Sequence, residues 1–403
     1  MRSHLCLLFG RDGGFDVSTS YERDLTRWVP RLIAVWRRSV RAAGTDDRLN
    51  AAELRQVAAG VRRISLGLTR ERSFAGLRYM DEPLLLGAYL LFYWPISYAQ
   101  AREVLGELSV RPRTVLDLGS GPGPLAFAAL DAGASEVTAA DRSKRALGLA
   151  RELAAEVGEG LSTREWDFNS GLDRLLPGHA RGDGFDAIGL GHALNELFAR
   201  DERALERRTA LVEEVLGRVK PGGSVVIIEP ALRETSRDLL EVRDRIVARG
   251  YAVRAPCLFR ASCPALVKQS EWCHAERRWQ PPPLVEEIAR AAGLHKESLK
   301  MSYLVLAPKG EPWREPPAGR VFRIVSEPLE GKGRQRYIGC GPEGRLGLAL
   351  QEKHRTEANA AFFNLHRGDV VRVTEIESRG DGFALSDRSE VSLVVRAGRP
   401  IWP

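Results

Sequence analysis

The sequence predicts an α/β protein built on a doubly wound parallel sheet, and three features support this fold class. From Arg113 onward, short apolar runs of strand length alternate with segments whose apolar residues recur at helical spacing. A glycine-rich run follows the first of these strands and immediately precedes a helix. Acidic residues follow the next strands, where the carboxyl edge of a parallel sheet places its ligand-binding groups.

The elements follow one another in the order that such a sheet requires. The predicted strands are Thr114–Leu118, Glu136–Ala140, Phe185–Leu190, Ser224–Ile228 and Met301–Ala307. The predicted helices are Pro124–Leu130, Ser143–Val157, Leu205–Val219, Glu234–Arg249 and Leu284–Ala292.

The chain divides into three regions by pattern. Residues 1–108 carry helical spacing without strand alternation, which predicts a helical N-terminal domain. Residues 109–310 hold the α/β pattern, interrupted by an irregular, cysteine-rich insertion at 255–280. After a linker rich in proline and charge, residues 318–403 show short β-like runs separated by glycine turns, which predicts a small OB-like β-barrel.

Composition indicates an ordinary folded protein. Of the 403 residues, 44% are hydrophobic and 28% charged. No apolar run reaches the roughly 20 residues that cross a bilayer, so we expect no membrane partner. We also expect the protein to be cytoplasmic and monomeric. The net charge of +7 permits a polyanionic partner. Arginine far outnumbers lysine, however, which GC-rich codon usage alone would produce.

The glycine run contains the first candidate site. Gly119, Gly121 and Gly123 follow the strand residue Asp117, and their missing Cβ atoms let the backbone turn tightly and approach a ligand. Asp141 ends the next strand, where a carboxylate can bind both hydroxyls of a ribose. Further candidates for cofactor binding are Asp167, which could meet an adenine amino group, and the adjacent Phe168.

These motifs resemble the class I S-adenosylmethionine-dependent methyltransferases over roughly residues 110–310. The resemblance implies that the three glycines line the methionine side of the donor and that Asp141 holds its ribose. A nicotinamide dehydrogenase competes, but the spacing GxGxG, rather than GxGxxG, favours the methyl donor. A scaffold that has lost its cofactor is a further alternative. His192, Asn195 and Glu196 follow the fourth strand without a recognised catalytic arrangement, so methyl transfer stays open.

Four cysteines form a second candidate site. Cys257, Cys263 and Cys273 lie in the irregular insertion, where loops can direct three thiolates at one metal centre, and Cys340 is the candidate for a fourth ligand. Such a set suits a [4Fe–4S] cluster or a tetrahedral zinc ion, and His274 could replace one thiolate. Ordinary buried thiols are the third interpretation.

Several segments together resemble the Rsm-type family of methyltransferase-like small-ribosomal-subunit proteins, over about residues 75–345. They are Tyr89–Ala99, Ala255–Cys257, Cys263–Pro264, Trp272–His274, Met301–Leu304 and Gly331–Gly333. The resemblance implies a protein that associates with the small ribosomal subunit during assembly. It also implies that the four cysteines ligate a [4Fe–4S] cluster. Leu258–Phe259 stands where the family tends to have Pro-His, a departure that concerns the surroundings of the cluster.

Basic residues of the C-terminal region indicate RNA contact. Arg323, Lys332, Arg334 and Arg336 surround Tyr337 in the sequence, an arrangement able to neutralise phosphates and to offer a stacking surface. The leading hypothesis is therefore a small-subunit assembly factor that binds rRNA through a methyltransferase-like scaffold with a [4Fe–4S] cluster. The alternative is an active S-adenosylmethionine-dependent methyltransferase acting on rRNA or a ribosomal protein.

Overall fold

The N-terminal region is helical. The computed structural model describes residues 20–44, 47–158, 160–178, 184–380 and 382–401, so residues 1–19 of the predicted helical domain lie outside that part of the chain. The helices are α1 (Ser20–Val40), α2 (Ala51–Ser65), α3 (Pro83–Ala88) and α4 (Trp94–Leu105). Within the described residues, no helix is both long enough and apolar enough to cross a membrane.

A reciprocal cap fixes the start of α2. Asn50 Oδ1 accepts hydrogen bonds from the backbone N–H groups of Ala52 and Glu53 at 2.9 and 3.0 Å, and Glu53 Oε2 accepts one from Asn50 N at 2.8 Å. Glu53 also pairs with the buried Arg37 of α1 at 2.9 Å. The hydrogen bond from Arg37 lowers the pKa of Glu53. A buried ion pair therefore links α1 to α2 in addition to apolar packing.

The central region alternates strands and helices as predicted, with ends that differ by a few residues. Its strands are β1 (Thr114–Leu118), β2 (Glu136–Asp141), β3 (Leu161–Glu165), β4 (Phe185–Gly191), β5 (Val219–Pro230), β6 (Val253–Ala255), β7 (Ala275–Arg278) and β8 (Ser298–Leu306). Its helices are α5 (Pro124–Asp131), α6 (Lys144–Val157), α7 (Leu172–Leu175), α8 (Ala204–Leu216), α9 (Arg233–Ala248) and α10 (Pro283–Ala292).

The central strands form one sheet in the order β3-β2-β1-β4-β5-β8-β6, with β7 also pairing to β8. Strands β1 to β5 run parallel to one another, whereas β8 runs antiparallel to β5. This is the predicted doubly wound fold of class I methyltransferase type. The strand order reverses between β1 and β4, so a crevice opens at their carboxyl ends.

Helices cover both faces of this sheet. Alternate residues of the strands enter two separate cores: Val226 and Ile228 of β5 join the core that includes α4 to α6, while Val225 and Ile227 join the one that includes α8 and α9. Burial on both faces explains why the predicted strands are continuously apolar rather than alternating.

The C-terminal region is a second sheet with its own core. Its strands are β9 (Arg320–Ile324), β10 (Leu329–Gly331), β11 (Arg334–Gly341), β12 (Gly344–Gln351), β13 (Val370–Val373), β14 (Ile376–Arg379), β15 (Gly382–Leu385) and β16 (Val391–Val395). They follow the order β14-β15-β12-β11-β9-β13-β16, with β10 on β11. Because β14 and β16 end this path, the described strands form a small β domain that does not close into a full barrel.

A buried carboxylate, Glu107, joins the regions just after α4. Its oxygens accept hydrogen bonds from Tyr303 of β8 at 2.8 Å and from Arg323 of β9 at 2.9 and 3.1 Å. Arg277 of β7 donates to it at 3.2 Å. The Glu107 side chain is only 1% exposed.

Candidate functional site

The glycine run forms the tight turn that the sequence predicts between β1 and α5. Gly119, Gly121 and Gly123 have φ values of 70°, 53° and 80°, in the left-handed region that favours glycine. The N–H groups of Gly119 and Ser120 donate to the carbonyl of Ala140 at 2.8 and 3.1 Å. These bonds hold the turn against the end of β2 and aim its backbone at the crevice.

Asp141 stands at the end of β2, as predicted. Its Oδ2 accepts from Gly121 N and its Oδ1 from Ser143 N, both at 2.8 Å. Burial raises the pKa of Asp141. A carboxylate oxygen accepts more than one hydrogen bond, so Asp141 retains lone pairs for ribose hydroxyls.

A cavity of about 110 Å³ lies in the crevice, and we call it the donor cavity. The structure brings together around it most of the predicted cofactor residues: Gly119, Asp141, Asp167 and Phe168. Asp117 lies beneath the glycine turn instead, where its Oδ2 accepts from Ala126 N at 3.0 Å and its Oδ1 has no partner among the described residues. Burial raises the pKa of Asp117 to about 7.

Residues 76–81, which we call the strap, cover the donor cavity and were not predicted. Arg142 donates to the carbonyls of Gly76 and Leu77 at 3.1 and 2.6 Å, and Ser143 Oγ donates to Asp81 at 2.7 Å. A Cβ atom at Gly121 would lie 3.0 Å from both Sδ and Cε of Met80. The Met80 thioether therefore lies over the glycine turn.

Two polar residues that follow β4, His192 and Glu196, line the donor cavity and are half-buried. His192 Nε2 lies 2.8 Å from Gln100 Oε1, and burial lowers the pKa of His192 to about 4. Glu196 Oε1 accepts from the Tyr79 hydroxyl of the strap at 3.2 Å, and burial raises the pKa of Glu196 to about 7. A neutral imidazole and a carboxyl group that titrates near neutrality thus face the same cavity.

The four cysteines come together between the insertion and β11. Burial raises the pKa of Cys340 well above its ordinary value, and proximity to the other three thiols raises it further. Burial, then Cys257 and Cys273, raise the pKa of Cys263 to about 12. The four thiols therefore lie within electrostatic reach of one another.

Buried N–H donors without acceptors surround these cysteines. Arg243 lies beside Cys257 and Cys263, Arg367 beside Cys273 and Arg345 beside Cys340. The Nε atoms of all three, and Nε1 of Trp272, are buried and have no hydrogen-bond partner in the described part of the chain. Orphaned buried donors are costly and rare, so they indicate a missing acceptor at this place.

Among the described residues, no group of three or more His, Cys, Asp or Glu side chains is placed so that it could hold a metal ion. The structure therefore supports neither the predicted [4Fe–4S] cluster nor the zinc alternative at the four cysteines as they stand in it.

The predicted RNA-binding set separates into two parts. Lys332, Arg334 and Arg336 are exposed on the hairpin formed by β10 and β11. Arg323 is only 5% exposed and donates to Glu107 and to the carbonyl of Pro256, so its prediction as an RNA contact is wrong. Tyr337 is 1% exposed inside the C-terminal core, so it offers no stacking surface.

Comparisons with known proteins identify one family. The family described as mitochondrial small ribosomal subunit Rsm22 matches residues 85–383. None of the curated proteins matches the chain.

Solved structures similar to this chain include several methyltransferases. One is the ribosomal protein L11 methylase of Lactobacillus delbrueckii subsp. bulgaricus, at 17% identity and TM-score 0.30, covering 53% of this chain and 77% of that one. TrmN of Thermus thermophilus has 21% identity and TM-score 0.33, covering 54% and 53%. A Listeria monocytogenes protein provisionally classed as a class I S-adenosylmethionine-dependent methyltransferase has 12% identity and TM-score 0.37, covering 74% and 90%. At these scores the likeness carries no inference, and the fold assignment rests on the strand order.

Glu229, at the end of β5, predicts a pH dependence of stability. Burial raises its pKa from 4.5 to about 8, and its Oε2 has no partner among the described residues. Between these values the unfolded chain loses this proton while the folded chain keeps it. The free energy of unfolding should therefore fall as pH rises, by up to about 1.4 kcal/mol per pH unit from this group. In urea denaturation, the free energy of unfolding of Glu229→Gln should exceed that of the wild type by more at pH 8 than at pH 5.

The matched control is Glu202→Gln, since Glu202 is exposed. Its stability should follow that of the wild type at both pH values. An identical pH dependence in Glu229→Gln and wild type would contradict the prediction.

Proposed function

Since this chain belongs to the Rsm22 family, described as a mitochondrial small ribosomal subunit protein, we propose that it binds the small ribosomal subunit during assembly and contacts its rRNA. The methyltransferase-like domain serves as the scaffold. The observation that carries this proposal is the family match, because residues 85–383 span the central sheet and most of the C-terminal sheet. The match therefore concerns both sheets and not the glycine motif alone.

The hairpin of β10 and β11 supplies one RNA contact. Arg334 and Arg336 are two positions apart on β11 and so point to the same face, and Lys332 lies in the turn that precedes them. All three are exposed, and no ion pair holds any of them within the described residues. Three free cations on one edge can neutralise consecutive phosphates without reading the base sequence.

We expect binding of immature small subunits or their rRNA to depend steeply on salt. Replacing Lys332, Arg334 and Arg336 together by Gln should weaken binding. It should also reduce the slope of log K against log salt by about 0.7 for each phosphate of single-stranded RNA that the variant no longer neutralises. Filter binding across a salt series measures both quantities.

The control for this experiment replaces Arg372, Arg379 and Arg388, which are exposed elsewhere in the C-terminal region, by Gln. It removes the same charge and should retain the wild-type slope. If the wild type does not bind, or binds with an affinity that does not change with salt concentration, the proposed function is rejected.

Cys257, Cys263, Cys273 and Cys340 would hold the [4Fe–4S] cluster in this proposal. Two observations support the assignment: burial and then neighbouring cysteines raise the pKa values of Cys257, Cys263 and Cys340, and buried N–H donors without partners lie near these cysteines. Cluster sulfurs are hydrogen-bond acceptors and would satisfy these donors. Three ligands come from the insertion and one from β11, so a bound cluster would link the central domain to the C-terminal sheet.

Metal analysis tests this assignment. Protein purified without oxygen should contain about four irons and four acid-labile sulfides per chain, as a four-thiolate cluster requires. Cys257→Ser and Cys340→Ser should each lose them, whereas Cys6→Ser, a cysteine outside the proposed set, should not. Zinc in place of iron, or iron that survives both ligand substitutions, would refute the cluster.

A second candidate function is methyl transfer with S-adenosylmethionine. The observation in its favour is the donor cavity, where the glycine turn, Asp141, Asp167 and Phe168 meet. These residues would bind and orient the donor, and the donor itself would supply the methyl group. Alignment of donor and acceptor can account for much of the acceleration in such a displacement.

Gly121→Arg tests donor binding. Gly121 has a φ of 53°, and its Cβ would press on Met80, so an arginine side chain should strain the turn and fill the cavity. We expect calorimetry to show loss of S-adenosylmethionine binding. The matched control is Gly148→Arg in α6, where a Cβ meets only the tip of Arg151 at 3.9 Å. Equal donor affinity in wild type and Gly121→Arg would reject this function.

A further inference from the structure

A groove lined by arginines opens beside the donor cavity. Its volume is about 560 Å³, against about 110 Å³ for the donor cavity. Arg78, Arg142, Arg164 and Arg174 line it, and we call it the arginine groove. Arg78 and Arg142 line the donor cavity as well, so the two spaces are adjacent.

The four arginines come from separate elements that meet at the carboxyl edge of the sheet. Arg78 belongs to the strap, Arg142 follows β2, Arg164 lies near the end of the edge strand β3 and Arg174 lies on α7. Such a convergence is made by the tertiary fold and is not a run of charge along one helix. A solvated basic helix face would not produce it.

Two of these arginines are uncommitted. Arg164 and Arg174 are exposed, and neither side chain has an ion pair or hydrogen bond within the described residues. Arg142 uses its guanidinium to hold the carbonyls of Gly76 and Leu77, and Arg78 lies 3.7 Å from Asp81.

The acidic residues of the groove are already engaged. Glu165 pairs with Lys144 at 3.3 Å, and Asp167 Oδ1 accepts from Asn169. Four arginines against two carboxylates leave the groove positively charged.

We propose that the arginine groove binds the phosphates of a single-stranded RNA segment and brings one of its nucleotides to the mouth of the donor cavity. This inference rests on the proposed function, and it locates an RNA contact on the central domain, away from the β10–β11 hairpin. A planar guanidinium group can donate two parallel hydrogen bonds to two oxygens of one phosphate. The exposed side chains of Arg164 and Arg174 could bind phosphates in this way. The strand must be single because a base held in a duplex cannot reach a neighbouring pocket.

The arginine groove is larger than the donor cavity. This difference fits an RNA strand that lies in the groove and points one nucleotide towards the cavity. The volume of the groove falls within the range of about 300–1,000 Å³ that is usual for ligand sites. Arg78 and Trp166 line both spaces, so the nucleotide would approach the donor cavity past these two residues.

The test uses the full-length protein and a fluorescent single-stranded RNA of about twelve nucleotides, with binding followed by anisotropy over a salt series. Arg164→Gln combined with Arg174→Gln should weaken binding at least tenfold and lower the salt slope by about 0.7 for each phosphate left without its arginine. The matched control is Arg145→Gln combined with Arg151→Gln, two exposed arginines of α6 in the same domain, which should bind as the wild type does.

The outcomes separate this inference from the proposed function. If the hairpin variant loses affinity and the groove variant does not, the proposed function stands and the arginine groove is rejected. If wild-type protein binds neither this RNA nor immature small subunits, the proposed function fails and the inference fails with it. Competition by polyglutamate that equals competition by RNA at matched charge would assign the groove to an acidic protein and overturn the proposal.

Discussion

The hydrogen bonds between Glu107 and Arg323 determine how the three regions of this protein meet. A buried carboxylate is tolerated only when cations and hydroxyl groups satisfy it, and breaking such a pair typically costs about 3–5 kcal/mol. Arg323 stands directly opposite Cys340 in the pairing of β9 with β11, and it also donates to the carbonyl of Pro256, next to Cys257. The bond that satisfies Glu107 therefore places the cysteine of the C-terminal sheet beside those of the insertion.

Helix α4 supports both candidate sites. Near its middle, Gln100 contacts His192 of the donor cavity and donates to the carbonyl of Lys300 on β8. Just beyond its end, Glu107 holds Arg277, Tyr303 and Arg323. The two sites are thus mounted on one rigid element whose residues 94–105 are mostly buried. This arrangement explains why the helical region and the α/β domain pack as one body with a continuous core.

The sequence predicted the elements of the central sheet and the glycine turn because both depend on local pattern. Strand periodicity and the glycine spacing are visible within a short stretch of sequence. The crevice at the ends of β1 and β4 then follows from the doubly wound topology that these patterns predict. The strap could not be found in this way, because its contacts with Arg142 and Ser143 join residues about sixty positions apart. Its residues carry no periodicity that would direct them to the crevice.

The assignment of Arg323 to an RNA surface failed for a related reason. Charge alone suggests exposure, yet both faces of β9 are buried: Val321 enters the main core while Phe322 and Ile324 enter the C-terminal core. A strand that is apolar on either side of a single arginine indicates a buried, paired guanidinium, and this signal was present in the sequence. Lys332, Arg334 and Arg336 lie on a hairpin instead, and they are exposed.

The strap also decides which parts of the protein a ligand of the donor cavity would touch. Arg142 and Ser143 tie it to the same turn that carries Asp141, and Met80 lies over the glycine turn. A ligand bound in that cavity would therefore contact the strap and the carboxyl end of the sheet together. Its binding would stabilise the strap in this position against local opening.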